Sequence, residues 1–519
     1  MNSMRKLLLA LAAALATMAY AQAPGPDTLV IAQSVDADSM DPAQISSRPA
    51  ANIAAHIWGA LLETTSDGEI VPYLAHSYEY TEDGQSLIFE LEEGLTCHDG
   101  EALTASDVAY SFNRAADPDN GFTGNTPGFI FSSMGFVDAE VVDELTVQIN
   151  TRQYNPIVPG LVGEVYIHCE ESYAGMTLDE AAENPVGSGP YQFVEWIKDD
   201  RMVIERDDDF ALRQAGFETI VWRVVPEAST RAAELIAGNV DIVANVLPDQ
   251  QDAVNDSGNA EVISVAGTRR IYVGFNFKDK FAQTEGGAAI QETAVRQAMN
   301  HAVDVETICA ALLGVECDRA TGLVNPPNDH PELEPYVYDP ELAEQMLDEA
   351  GYPRGDDGVR FELTLQAPNG RYLNDANVAL AVGQYLSDAG VETEVELLDF
   401  SSVFVPLIRQ HDAGPLFLLG SGGATWNALY DMADLSAVDA GTNYTEWSNM
   451  DWFSGWDRIA QTRDDAEIEA IKNEMLEVFY NDPPWLMMYF QPDFYGVSTR
   501  IDWDPRRDEK VKVIEAQLR

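Results

Sequence analysis

The segment between residues 339 and 420 alternates strand and helix patterns, and this alternation constrains the fold more than any other feature of the sequence. Strand-like runs and stretches of helical spacing follow one another at 361–367, 374–389, 391–397, 401–410 and 416–419. This order predicts an α/β unit with a parallel sheet, which binds ligands at the carboxyl ends of its strands. The loops at 368–374, 399–402 and 420–427 are therefore the first candidates for a binding site.

The N-terminus has the pattern of a secretory signal. Two cations precede an apolar run at 7–19, and small residues flank position 20. The run has 13 residues, fewer than the ~20 that span a bilayer, so we expect cleavage near Ala21 and a soluble exported chain. The first cysteine is Cys97, which leaves no site for a lipid anchor near the cleavage point. The expected compartment is the periplasm.

The charge balance excludes some classes of protein. The 519 residues carry 87 acids and 30 Lys or Arg, a formal charge of −57. Nucleic-acid binding needs a basic face, so a nucleic-acid partner is not expected. With 46% hydrophobic residues the chain has globular composition, and its length suggests two to four domain-sized units. We expect a monomer with a strongly acidic surface.

Four cysteines remain after the predicted cleavage. Cys309 and Cys317 are eight residues apart, which favours a local disulfide in an oxidising compartment. A second bridge between Cys97 and Cys169 is possible. Neither pair has the C-x₂-C or H-x₃-H spacing of a zinc site, so no metal is predicted.

Motifs for catalysis are missing. The sequence has no G-x-S-x-G elbow, no phosphate loop ending in G-K-S or G-K-T, and no H-E-x-x-H. We therefore predict no cofactor and no enzyme activity, with a secreted hydrolase as a remote alternative. The glycine-rich run at 420–423 fits either a phosphate cradle or a close backbone turn. The aromatic residues between 426 and 456 fit either a wall of a solute site or a packed core.

Short motifs in one order extend along almost the whole mature chain. They include Cys-His-Asp-Gly-Glu from Cys97 and Pro-Val-Gly-Ser-Gly-Pro-Tyr from Pro185, and they lie at 72–114, 185–191, 206–210, 237–242, 295–304 and 338–352. Together they resemble the motifs of family 5 extracellular solute-binding proteins, the peptide/nickel-binding class of ABC importers. The resemblance implies a two-lobed periplasmic-binding-protein fold of the large type II form, with an extra subdomain inserted in the first lobe.

The same resemblance implies a function and a division of the chain. Family members capture a small organic solute, here expected to be a di- or oligopeptide, and deliver it to ABC permease subunits in the inner membrane, which cytoplasmic ATPases drive. The alternative ligands on this scaffold are an oligosaccharide, stacked on Trp426 and Trp447, or a metal chelate. The predicted lobe I comprises 22–57, 186–270 and 488–519, the inserted subdomain 58–185, and lobe II 271–487, after a signal peptide at 1–21. The lobes are expected to be joined by extended segments at 272–277 and 485–490.

The resemblance also implies binding residues. The stretch from Asn369 to Tyr372 is similar to one in which an arginine meets the peptide carboxylate, and Arg371 can grip a carboxylate with two parallel hydrogen bonds. Peptide binders also place an acid shortly after a tryptophan to pair with the peptide amine. This chain departs from that pattern, since Trp426 is followed by Asn427 and the next acid is Asp431. The predicted ligand-binding residues are Asn369, Gly370, Arg371, Tyr372, Ser421, Gly422, Trp426, Asn427 and Asp431.

Overall fold

The computed structural model describes residues 23–317, 319–326, 328–422, 427–438 and 440–519. The predicted signal peptide and Trp426 lie outside the described residues. Among the described residues, no helix has the length and apolar character that a membrane span requires.

The described residues form the following strands and α-helices. The strands are β1 (Thr28–Gln33), β2 (Leu62–Thr64), β3 (Ile70–Pro72), β4 (Ala75–Tyr80), β5 (Ser86–Leu91), β6 (Phe136–Val141), β7 (Thr146–Thr151), β8 (Tyr191–Ile197), β9 (Arg201–Arg206), β10 (Thr219–Val224), β11 (Ile242–Val243), β12 (Ala260–Phe275), β13 (Phe361–Asn369), β14 (Val391–Asp399), β15 (Leu416–Gly422), β16 (Trp485–Ser498), β17 (Ile501–Asp502) and β18 (Gln517–Leu518). The α-helices are α1 (Arg48–Ile57), α2 (Ala105–Ala116), α3 (Ser132–Met134), α4 (Val158–Val162), α5 (Glu170–Tyr173), α6 (Leu178–Glu183), α7 (Ala228–Ile236), α8 (Pro248–Asp256), α9 (Glu285–Ala289), α10 (Thr293–His301), α11 (Val305–Ile308), α12 (Pro340–Glu349), α13 (Asp375–Asp388), α14 (Val405–Arg409), α15 (Ala428–Met432), α16 (Met450–Ile459) and α17 (Asp465–Asn481).

One large mixed sheet connects the two halves of the molecule. Its strand order is β14-β13-β15-β12-β16-β11-β1-β10-β9-β8. The first three strands form one half and the last five form the other, while the long antiparallel strands β12 and β16 pair with each other between them. The two-lobed α/β fold expected from the sequence is confirmed.

At the place where the two halves meet, the register of the pairing between β12 and β16 changes. The register shifts between Ala266 and Arg270, opposite Pro492 and Phe490. Beyond this irregularity, β12 gains β15 as its second neighbour. The change of neighbours therefore lies several residues before the predicted joining segment at 272–277. The lobe boundaries themselves stay a prediction.

The parallel unit predicted between 339 and 420 is present. Strand β13 pairs in parallel with both β14 and β15, and α13 connects the first pair. Asp339 caps α12 through its carboxylate, with Pro340 at the first helical position. The carboxyl ends of β13, β14 and β15 point toward the other half. Arg371 follows β13, Phe400 follows β14 and Gly422 ends β15, and all three line the cavity described below.

A separate antiparallel sheet, in the order β4-β5-β7-β6, lies within the segment 58–185. Helix α2 packs against this sheet and begins with a capping box. The hydroxyl of Thr104 and the carboxylate of Asp107 each accept a backbone N–H at the helix start. A disulfide between Cys97 and Cys169 closes a 72-residue separation here. The second disulfide joins Cys309 to Cys317, as the short spacing favours.

The glycine-rich motif that starts at Pro185 holds this segment against α1. The backbone amides of Ser188 and Gly189 both donate to the carbonyl of Ile57, at 3.1 and 2.9 Å. A Cβ atom at Gly187 would overlap that same carbonyl oxygen, so no larger residue fits without a backbone shift. The hydroxyl of Ser188 donates to the carbonyl of Ile167 at 2.7 Å.

The excess of negative charge predicts a salt-dependent stability. With a formal charge of −57, like charges repel across the surface, and salt shortens the reach of that repulsion to ~8 Å at physiological ionic strength. We expect the melting temperature to rise by several degrees between millimolar and molar sodium chloride, measured by scanning calorimetry. Sucrose at equal osmolality is the control, because it does not screen charge. A flat or falling curve with salt would contradict the expectation.

Candidate ligand-binding site

A cavity of about 210 Å³ lies between the two halves of the molecule. The residues that line it from the N-terminal side, which includes the segment 58–185, are Pro42, Ile45, Ser46, Ser47, Arg48, Ala51, Asn125, Thr126, Phe129, Glu164 and Tyr166. Those that line it from the other side are Arg269, Arg270, Arg371, Tyr372, Phe400, Phe404, Val405, Ile408, Arg409, Leu419, Gly420, Ser421, Gly422, Tyr430, Asp434, Thr442 and Tyr444. A solute held here would contact both halves at once.

The structure brings some of the predicted binding residues to this cavity. Arg371 and Tyr372 follow β13, and Ser421 and Gly422 end β15. Four other predicted residues, Asn369, Gly370, Asn427 and Asp431, are not among the residues that line the cavity. Asn427 instead caps α15 by accepting the backbone N–H of Leu429 at 2.9 Å.

The loop that carries Arg371 is held by one carboxylate. Asp375, at the start of α13, accepts the backbone N–H groups of Gly370, Arg371 and Tyr372 at 2.8, 2.8 and 2.9 Å. Burial raises the pKa of Asp375 despite these hydrogen bonds. Asp375 thus binds the backbone of the loop, and the guanidinium of Arg371 has a different counter-ion.

That counter-ion is Glu509. Its carboxylate lies 3.4 Å from the Arg371 guanidinium and also forms a close ion pair with Arg269. Burial alone would raise the pKa of Glu509, but the charges of Arg269 and Arg371 outweigh burial and hold it well below its ordinary value. The Arg371 guanidinium also lies over the rings of Tyr372 and Phe400, at 5.0 and 5.8 Å from their centres. Two guanidinium groups therefore share one carboxylate beside the cavity.

A second acid, Asp493, lies beside this group. The side-chain amide of Gln491 donates to Asp493 at 2.9 Å and to Glu509 at 3.3 Å. Burial, and then the charge of Glu509, raise the pKa of Asp493 well above its ordinary value. The pKa values of the two acids are therefore shifted in opposite directions, close to the register shift between β12 and β16.

Arg270 anchors two acids deeper in the same half. It pairs with Asp431 at 3.0 Å and closely with Asp434. Asp431 also accepts from the side chain of Asn325 at 3.3 Å and is only 3% exposed. Burial raises the pKa of both acids, against the effect of Arg270. Asp431, the acid predicted to contact a peptide amine, is thus engaged by Arg270 and Asn325 behind the cavity wall.

Two ion pairs join segments that are distant in sequence at the edge of the cavity. Arg409 of α14 pairs with Asp38 at 3.1 Å and so connects the two halves. Lys510 pairs with Glu164 at 2.5 Å. Both pairs engage charged side chains that border the cavity.

The aromatic residues divide between the cavity and the core. Tyr430 and Tyr444 line the cavity, and Phe129 meets Tyr430 edge-to-face at 5.3 Å. Trp447 and Trp452 are 1% and 0% exposed, and their rings pack against each other in the core. The prediction that Trp447 stacks on a sugar is wrong, because the ring has no solvent-facing surface.

Sequence reasoning missed most of the charged groups at the site. No local motif marks the four arginines at these positions, which are spread over more than 350 residues: Arg48, Arg269, Arg270 and Arg409. The one available signal was compositional, since arginines are scarce in a chain with 87 acids. Their convergence follows from the tertiary fold alone.

A cavity between two lobes, lined by arginines and aromatic rings, defines the class of two-lobed solute-binding proteins. The model for the bacterial extracellular solute-binding proteins of family 5 matches residues 69–443, and the chain belongs to this family.

Three known proteins illustrate the likeness. The chain is 25% identical over 472 residues to the glutathione-binding protein GsiB of Pectobacterium atrosepticum, covering 88% of each chain. The fold matches the periplasmic binding protein DppA of Helicobacter pylori in complex with the peptide STSA, with a TM-score of 0.84, 21% identity and coverage of 95% and 98%. It also matches NikZ of Campylobacter jejuni in complex with Ni(L-His), with a TM-score of 0.81, 20% identity and coverage of 93% and 97%.

Proposed function

We propose that this protein captures a small organic solute with a carboxylate end, with di- and oligopeptides as the first candidates. The solute would be enclosed between the lobes in the periplasm and passed to permease subunits of an ABC importer in the inner membrane. The protein would act as a monomer without chemistry of its own. The observation that carries the proposal is the position of Arg371, whose guanidinium borders a cavity between the two halves.

The ligand chemistry follows from the charges of the site. Arg269 and Arg371 share the single carboxylate of Glu509, so the pair keeps one unit of positive charge beside the cavity. A carboxylate of the solute can complete this arrangement, and a charge-assisted hydrogen bond in a closed site is worth roughly 1.5–3 kcal/mol. The relative named for glutathione and the neighbour solved with a peptide support the same class of ligand.

A matched series of peptides tests the proposal. We expect titration calorimetry of the mature protein to show binding of dialanine or trialanine, and binding at least tenfold weaker for the same peptide with a C-terminal amide. N-acetylated peptides measure the amine contact separately, and maltotriose serves as a neutral solute of similar size. Equal affinity for the free acid and the amide, or binding of maltotriose alone, would overturn the carboxylate proposal.

A further inference from the structure

The guanidinium of Arg48 borders the cavity without a counter-ion. Arg48 opens α1, after Ser47 has capped the helix through its hydroxyl. Its Nε atom is buried and has no hydrogen-bond partner, and no carboxylate of the described residues forms an ion pair with it. Leaving a buried donor unpaired costs about the desolvation of that group, so this position is unfavourable unless another molecule completes it.

Every other arginine on the cavity wall contacts a carboxylate. The pairs are Arg269–Glu509, Arg270–Asp434, Arg371–Glu509 and Arg409–Asp38. Among the described residues that line the cavity, Arg48 is therefore the arginine without an acid, in a chain with 87 acids and 30 Lys or Arg.

Arg48 interacts through its charge with Asp508 and Glu509, but these two acids, and Glu164 of the cavity wall, form ion pairs with other cations. Glu164 pairs with Lys510 at 2.5 Å, and Glu509 lies between its two arginines. Asp508 pairs with Arg506 at 2.6 Å. Two acids line the cavity itself, Glu164 and Asp434, against five arginines, and Asp434 shares Arg270 with Asp431. The charge of the cavity therefore favours a solute with net negative charge.

We propose that Arg48 is a second anion-binding residue and that the solute carries two anionic groups, as an acidic peptide does. This inference rests on the proposed function, because it takes Arg371 as the site of the first carboxylate. Arg48 belongs to α1 in one half, and Arg371 follows β13 in the other. A doubly anionic solute then contacts a cation on each side of the cavity, which ties the two lobes together in the closed form.

Matched peptides that differ by one charge test this role. The probes are Ala-Glu against Ala-Gln, and Ala-Ala-Glu against Ala-Ala-Gln, measured by titration calorimetry on the mature protein. We expect the native protein to bind the Glu peptides tenfold or more tightly than the Gln peptides. In Arg48→Gln the ratio of the affinities for Glu and Gln peptides is expected to fall close to one, because only the Glu peptides bind more weakly. Arg48→Lys should restore part of the ratio, since a point charge remains.

Arg458→Gln is the matched control, because it removes the same charge from an exposed ion pair with Glu474. It should leave the ratio unchanged. Arg48→Gln should melt close to the native protein, since Arg48 forms no ion pair among the described residues and its charge is a minor influence on Asp508 and Glu509. A variant that fails to fold would show that Arg48 is a structural residue and would overturn the inference.

The remaining outcomes separate the two proposals. Equal binding of Glu and Gln peptides by the native protein overturns the role of Arg48 and leaves the proposed function standing. If Arg48→Gln still prefers the Glu peptides over the Gln peptides, the role of Arg48 is likewise overturned and the proposed function stands. Failure of all four peptides and of dialanine and trialanine to bind overturns the peptide function, and this inference with it.

Discussion

Replacing Glu509 by glutamine is expected to lower the free energy of unfolding by about 3–5 kcal/mol at neutral pH. Glu509 is the shared counter-ion of Arg269 and Arg371, and all three side chains are at least nine-tenths buried. Glutamine keeps the shape of the side chain but leaves two buried guanidinium groups facing each other. Glu509 also has a left-handed backbone, with φ of 57°, which a non-glycine residue adopts only where the surroundings hold it. The ion pairs supply that restraint.

Asp493 gives this prediction an internal check. The pKa of Asp493 is raised by burial and then by the charge of Glu509, so an ionised Glu509 disfavours ionisation of Asp493. Loss of the Glu509 charge lets Asp493 ionise and take over part of the pairing. We therefore expect Asp493→Asn to be nearly neutral alone, and the double variant to lose more stability than the sum of the two single variants. Urea unfolding of the four proteins of this cycle measures the coupling.

The pH dependence has opposite signs for the two acids. The pKa of Glu509 is lower in the folded state, so its stabilisation is present above the unfolded value and disappears as the pH falls through the folded one. The pKa of Asp493 is higher in the folded state, so its contribution is present at low pH and is lost as the pH rises above the unfolded value of ~3.9. As the pH rises above that unfolded value, Asp493→Asn should therefore lose less stability than the native protein does.

Glu474→Gln is the control for these measurements, since it removes an acid from the exposed pair with Arg458. A surface pair contributes little, so this variant should unfold like the native protein. If Glu509→Gln behaves like the control, or if the two acids show additive effects, the shared counter-ion does not hold this region together.

Local signals accounted for the elements and for the general position of the site. Strands β13, β14 and β15 begin at Phe361, Val391 and Leu416, where their patterns in the sequence begin. These features depend on neighbours a few residues away, and a sequence displays them directly. The βαβ order then placed the loop of Arg371 at the binding edge, because parallel strands end at the same edge of a sheet.

The charge network of the site depends on contacts that no local pattern encodes. Arg269 and Glu509 are separated by 240 residues, and Arg409 and Asp38 by 371. Because the chain has 87 acids, the sequence does not indicate which acid forms an ion pair with a given arginine. Asp431 shows the same limit, because its position after a tryptophan suggested a ligand contact while Arg270 binds it in the interior.

Replacing Arg371 by alanine is expected to weaken binding of a peptide with a free carboxylate by roughly ten- to a hundredfold or more. The guanidinium is held over Tyr372 and Phe400 and is only 7% exposed, so little freedom is lost when a carboxylate binds. The melting temperature of the free protein should change little, because Glu509 keeps its close pair with Arg269.

The ligand series separates a binding role for Arg371 from a structural one. A peptide with a C-terminal amide should bind the native protein and Arg371→Ala with similar affinity, since the lost contact is absent from both complexes. Arg458→Ala removes an exposed cation and should leave all affinities unchanged. If calorimetry finds the free-acid peptide unaffected by Arg371→Ala, the guanidinium serves only Glu509. The carboxylate must then bind elsewhere on the cavity wall, with Arg48 as the arginine that has no acid of its own.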